Sequence, residues 1–193
     1  MIQQFTHTIT KEEISTLPKE EFNGRIITII SENEAKKAVE YLLQFPALGF
    51  DTETRPSFKK GQNFKVALMQ ISTEDTCFLF RLNRIGIPQS LKDLLTNESV
   101  LKIGLSLKDD FNAIHKRSQV EPLNFIDLQN IVGQFGIEEA SLQKIYAILF
   151  HKKISKGQRL TNWEADILTS PQQKYAALDA WACLRIYNLL NQE

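Results

Sequence analysis

Four carboxylates stand where a folding chain ordinarily places apolar side chains, and they define the chemistry open to this sequence. The first two lie in Leu48-Gly49-Phe50-Asp51-Thr52-Glu53-Thr54. Side chains alternate along a strand, so Asp51 and Glu53 share one face at its carboxyl end while Phe50 takes the other. Two adjacent carboxylates repel each other and resist burial. A divalent cation relieves both problems; so does solvent, if the strand end is exposed. The third acid lies in Ile103-Gly104-Leu105-Ser106-Leu107-Lys108-Asp109-Asp110-Phe111. Ser106 and Asp109 read as a cap pair opening a helix. Asp110 then falls on the apolar stripe of Leu107, Phe111 and Ile114, and Asp109 points away from it. The fourth is Asp179, one turn after Tyr175, on a face that continues through Leu178, Ala182, Ile186 and Leu189.

Singly, each inward acid has a plain structural explanation, a buried hydrogen bond to backbone or to an arginine. Together they offer four hard oxygen ligands, with no thiolate or histidine cluster beside them. That donor set suits Mg²⁺ or Mn²⁺ rather than Zn²⁺. Two such ions about 3.5–4 Å apart are a recurring device for in-line displacement at phosphorus.

These residues need a framework. Arg25–Ile30 reads as a strand, and Ser31 with Glu34 forms a capping box. The helix behind it carries Ala35, Ala38, Val39, Leu42 and Leu43 on one face and stops at Pro46. Ala47–Glu53, Phe64–Ser72 and Thr76–Leu82 read as strands, the last two joined by Thr73-Glu74-Asp75. Lys59–Asn63 is a polar loop. Pro88–Leu95 reads as a helix and Val100–Gly104 as a short strand. Helices are expected from Leu107, over Phe125–Phe135 and over Ser141–Phe150. The last begins with Ser170 as cap, Pro171 as first helical residue and Gln173 closing the box. Its Ala176, Ala177, Ala180 and Ala182 let it lie close to a sheet. The order of elements predicts an α/β fold, a mixed sheet covered by helices.

The chain has 193 residues with 42% apolar content, which suits one compact domain. Residues 1–24 are polar and mixed, an N-terminal arm of unclear role, and 25–193 form the domain. Lys+Arg and Asp+Glu are both 23, so the chain is formally neutral. That excludes a basic coat but not a basic groove. No apolar run approaches the roughly 20 residues of a membrane span, and the N-terminus lacks a signal-peptide layout. Cys77 and Cys183 sit apart in apolar segments and read as reduced core thiols. An intracellular, cytoplasmic protein with no membrane partner is expected. No glycine-rich turn follows a strand, which argues against a dinucleotide-dependent oxidoreductase.

The order Asp-x-Glu, Asp, Tyr-x-x-x-Asp resembles the DEDDy branch of the 3′–5′ exonucleases, which have a ribonuclease H-like fold. The likeness covers about residues 25–190. Lys65–Ile71, Cys77–Phe80 and Arg159-Leu160-Thr161-Asn162-Trp163 are similar to the Werner-type exonuclease domain, more than to RNase D. Asp109 departs from the small residue usual at its position, and no helicase or helical nucleic-acid-binding domain accompanies the match. The resemblance implies two divalent cations, Mg²⁺ or Mn²⁺. Asp51 would bridge them, Glu53 and Asp179 would complete the site nearer the attacking water, and Asp110 would serve the second ion. Tyr175 would orient the water. Nucleoside 5′-monophosphates would leave a 3′ end, of DNA rather than RNA. The alternative is a non-catalytic nucleic-acid-binding module that keeps the fold.

A neutral protein must hold single-stranded or 3′-ended nucleic acid with a local patch. Thr52, Arg55, Lys156 and Arg159 are the substrate-binding candidates, with Arg159 foremost. Lys59, Lys60, Lys65, Lys108 and His151-Lys152-Lys153 are further basic neighbours of the motifs. The segment from Lys152 to Arg159 reads as a flexible basic loop able to close over the 3′ end. Phe58 or Phe64 would stack on a base, although core packing suits Phe64, Trp163 and Trp181 better. No protein partner is implied.

Overall fold

Capped amphipathic segments alternate with β-branched runs, and the chain folds accordingly. The computed structural model describes residues 5–191. The elements are α1 (Lys11–Thr16), β1 (Arg25–Ile29), α2 (Glu32–Leu42), β2 (Ala47–Thr54), β3 (Val66–Ser72) and β4 (Thr76–Phe80). Then follow α3 (Leu82–Ile85), α4 (Gln89–Leu95), β5 (Leu101–Gly104), α5 (Leu107–His115), β6 (Phe125–Asp127), α6 (Leu142–Phe150) and α7 (Ser170–Leu190). The six strands form one mixed sheet in the order β1-β4-β3-β2-β5-β6. Only β3 runs antiparallel to its neighbours; β1 with β4, β2 with β5 and β5 with β6 are parallel pairs. The carboxyl ends of β2, β5 and β6 therefore lie along one edge of the fold.

Helices cover both faces, as expected. Gly49 makes the closest approach: a Cβ there would lie 2.0 Å from the Ala180 carbonyl oxygen, so α7 rests directly on β2. Small residues on both sides permit this. The buried layer on that side includes Ala176, Ala177, Ala180, Tyr146 and Trp163. The opposite layer holds Leu48, Phe50, Met69, the inner face of α2, and Leu107 and Ile114 of α5. Every residue of β3 is buried, as befits a strand covered on both faces.

Several local expectations are corrected. Phe125–Phe135 is not a helix. Phe125–Asp127 pairs in parallel with β5, and two 3₁₀ turns follow. A β-branched, aromatic tripeptide gains more from the sheet edge than from helix. Ser106 does not cap α5 with its side chain; it takes a left-handed conformation (φ 61°). Instead the Asp127 carboxylate accepts from the Ser106 and Leu107 amides at 3.0 and 2.8 Å. The α7 box is one residue early: Thr169 is the cap and Gln172 its partner, so Pro171 is the second helical residue. Leu43 is exposed, because it lies past the last turn of α2. Within the arm, α1 carries its own capping box from Thr10 and Glu13. Both cysteines are free and buried, and among the described residues no helix is long and apolar enough to cross a membrane.

Candidate active site

Strand alternation, a helix stripe and one glycine bring the acids together. On β2, Asp51 and Glu53 point to the α7 side, while Leu48 and Phe50 enter the other layer. Because α7 rests on Gly49 through Ala180, the preceding residue, Asp179, reaches the same spot. Carboxylate oxygens of Asp51, Glu53 and Asp179 all lie within 4.8 Å of one another. Asp110 comes from α5 across the sheet end and lies outside that triad. Its oxygen accepts a short hydrogen bond from the Thr52 hydroxyl, the side chain between the two strand acids. Asp109 is exposed, so helical phase selects Asp110.

The electrostatics describe a site built for a cation. Glu53, Asp110 and Asp179 are 9%, 9% and 7% exposed, yet among the described residues no arginine or lysine forms an ion pair with any of them. One oxygen of Asp179 is buried with no hydrogen-bond partner. Burial, then the charges of Asp110, Glu53 and Asp179, push the Asp51 carboxyl well above the carboxylate range. Burial and the charges of Asp179 and Asp110 push Glu53 up to about 9, against a smaller pull from Arg159. Asp179 rises to about 7, burial outweighing the Tyr175 hydroxyl and Lys156. Asp110 rises to about 6, burial outweighing the bond from Thr52. Burial and the charge of Asp179 also push the Tyr175 phenol up, so it remains a proton donor at neutral pH. Hard oxygens, mutual repulsion and an orphaned buried acceptor fit a divalent cation.

A cavity of about 230 Å³ opens over these acids, lined by Asp51, Thr52, Glu53, Arg159, Tyr175 and Asp179 together with Leu105, Leu142 and Cys183. Trp163 is fully buried beside Tyr175, ring centroids 6.0 Å apart, and its indole nitrogen donates to the Arg159 carbonyl at 3.4 Å. Arg159 thus stands on a packed aromatic base. Lys156 is exposed near Asp179. Arg55 turns toward Glu164 at 3.4 Å and lies over the Phe64 ring, so it links the loop after β2 to the segment before α7.

Two residues of the expected basic loop are engaged elsewhere. Lys152 pairs with Glu20 at 3.1 Å, and Lys153 donates to the Ser15 carbonyl. Glu20 is buried and also accepts from Tyr146 at 2.7 Å and Arg185 at 3.3 Å. The segment is a chain of turns rather than a free loop, closed by Arg159 N to Lys156 O and Thr161 N to Gln158 O. Two contributors escaped the sequence reading. Asp127 anchors the start of α5; its signal was an acid closing a Phe-Ile pair. Arg81, 2% exposed, donates to the Ala165 and Asp166 carbonyls and fixes the approach to α7. Nothing local in sequence marks that contact.

A family model described as 3′–5′ exonuclease matches residues 26–193. The bifunctional 3′–5′ exonuclease/ATP-dependent helicase WRN of Mus musculus is 31% identical over 184 residues, 90% of this chain and 13% of that protein. Ribonuclease D of Haemophilus influenzae is 29% identical over 182 residues, 92% of this chain and 45% of that one. The chain therefore spans less than half of either relative. Among solved structures, the Aedes aegypti Nibbler EXO domain superposes with a TM-score of 0.77 at 20% identity, covering 97% of this chain and 92% of that one.

Proposed function

The chain belongs to the 3′–5′ exonuclease family, hydrolases acting on nucleic acids, and we propose that it is an active two-metal enzyme that releases nucleoside 5′-monophosphates from 3′ ends, DNA before RNA. The convergence of three carboxylates, two buried and one half-buried, within 4.8 Å carries this reading. Asp51, Glu53 and Asp179 would hold one Mg²⁺ or Mn²⁺, and Asp51 with Asp110 a second. Such a pair, when bound, lowers the pKa of water enough to supply hydroxide at neutral pH and offsets charge growing on the phosphate.

The chain's own groups do the rest. Tyr175, held protonated, donates a hydrogen bond that orients the attacking water. Thr52 fixes the Asp110 carboxylate through its hydroxyl. Arg159 and Lys156 draw the phosphate to the cavity and neutralise its charge. Arg55, paired with Glu164, holds the two sides of the cavity mouth at a set distance. The preference for DNA rests on the likeness to the Werner-type domain.

The test is digestion of matched 5′-labelled DNA and RNA oligonucleotides with Mg²⁺, Mn²⁺ or chelator. Metal-dependent laddering from the 3′ end, faster on DNA, is the expected result. Binding without laddering would make the chain a nucleic-acid-binding module that has kept the fold. Faster laddering of RNA would reverse the substrate preference.

A further inference from the structure

Gln70 is a polar side chain in the middle of β3, a strand buried from end to end. It stands opposite Asp51 in the antiparallel register with β2, and opposite Leu79 in the register with β4. Directly paired residues share a face of the sheet, so the Gln70 amide lies on the α7 side, next to Asp51. Its Nε2 donates to the Ala176 carbonyl of α7 at 3.4 Å. Its Oε1 is buried with no hydrogen-bond partner among the described residues. An apolar side chain of the same length would fill the layer without burying an unpaired acceptor, so packing does not explain a glutamine here.

The contact with α7 does explain it. Ala176 directly follows Tyr175 in the helix, as Ala180 directly follows Asp179. Ala180 is the residue whose carbonyl oxygen crowds Gly49. The helix therefore meets the sheet through two carbonyls one turn apart, and each belongs to the residue after a site residue. An α-helix advances about 100° per residue, so holding 176 against β3 and 180 against β2 fixes the directions in which 175 and 179 point. Gly49 sets the height of the second carbonyl by leaving no side chain beneath it, and Gln70 holds the first by a directed bond. Tyr175 also packs beside the Trp163 ring, centroids 6.0 Å apart, and lines the cavity with Asp51, Glu53 and Asp179.

We infer that Gln70 is a positioning residue: through the Ala176 carbonyl it fixes this turn of α7 on the sheet and aims the Tyr175 hydroxyl into the carboxylate cavity. This rests on the exonuclease reading, in which Tyr175 orients the attacking water, and adds the group that orients Tyr175 itself. Gln70 is fully buried and does not line the cavity, so its effect on the reaction passes through the helix.

The experiment follows hydrolysis of the p-nitrophenyl ester of thymidine 5′-monophosphate with Mn²⁺ by the wild type, Gln70→Met, Tyr175→Phe and the double variant. Methionine keeps the length of the side chain and drops both polar atoms, so thermal melts are expected to show Gln70→Met at least as stable as the wild type. Its kcat is expected to fall about 10- to 100-fold, the cost of a small misplacement of a reacting group, with KM unchanged. In the Tyr175→Phe background the same substitution costs little further, because the hydroxyl it aims is gone. Wild-type kcat in Gln70→Met, a raised KM with kcat retained, or losses that multiply in full in the double variant would overturn the inference. Gln70→Leu repeats the measurement if Gln70→Met does not fold. If the wild type hydrolyses neither the ester nor an oligonucleotide, the exonuclease reading fails by itself. Crystal structures of the wild type and the Gln70 variant then decide: a Tyr175 hydroxyl displaced by about 1 Å supports the inference, and superposable α7 turns overturn it.

Discussion

Asp51 shows how repulsion can be stored in a fold. Its carboxylate faces those of Glu53, Asp179 and Asp110 with no cationic partner. Asp51→Asn removes charge from that cluster. Hydrolysis is expected to vanish, while the melting temperature without metal stays level or rises, by about 2–4 °C per kcal/mol of repulsion relieved. Thermal melts and the laddering assay check both halves. Tyr175→Phe keeps the ring on Trp163 and loses the hydroxyl; hydrolysis should slow about 10²-fold with metal affinity retained. The pH dependence follows from the raised carboxyls. A group whose folded pKa lies above its unfolded value stabilises fully below the unfolded pKa, near 4, and loses that contribution as pH rises through the folded value. Here those values are about 6 for Asp110, 7 for Asp179 and 9 for Glu53. Melting temperature in chelator is expected to fall between pH 5 and pH 9, and divalent cation to restore most at the alkaline end. A flat profile in chelator would contradict the assigned repulsion.

At the scale of elements, the site depends on how closely α7 lies on β2. A methyl at Gly49 has no room against the Ala180 carbonyl. Gly49→Ala must lift the helix and part Asp179 from Asp51. A stability loss of about 1–3 kcal/mol and a larger loss of metal affinity are expected from urea melts and Mn²⁺ titration. Asp127→Ala should free the first turn of α5, cost about 0.5–2 kcal/mol and slow turnover by loosening Asp110. Sequence periodicity made much of this legible. Alternation put Asp51 and Glu53 on one face, helical phase chose Asp110 over Asp109, and the alanines of α7 announced a close approach. It failed at Phe125–Phe135 and Ser106, because strand pairing and the Asp127 cap depend on neighbours about 20 residues away in sequence. Local propensity carries no record of them.

On the scale of the molecule, a formally neutral chain sets Arg159 in the cavity wall and Lys156 near Asp179, beside a cluster of carboxylates. The arm illustrates what sequence could not reveal. It fastens through Glu20, whose acid holds Tyr146, Lys152 and Arg185 across more than a hundred residues of sequence. Glu20→Ala leaves those groups without their acceptor and is expected to cost about 1–3 kcal/mol, read by chemical denaturation, with hydrolysis at 25 °C largely retained. The central claim is that the acids of β2, α5 and α7 together bind divalent cations. Isothermal titration of Mn²⁺ into the full chain at pH 8 tests it most directly. Saturable binding that disappears in Asp51→Asn, while Asp109→Asn binds like the wild type, is the result the account predicts. Equal heats for wild type and Asp51→Asn, both folded, would contradict it.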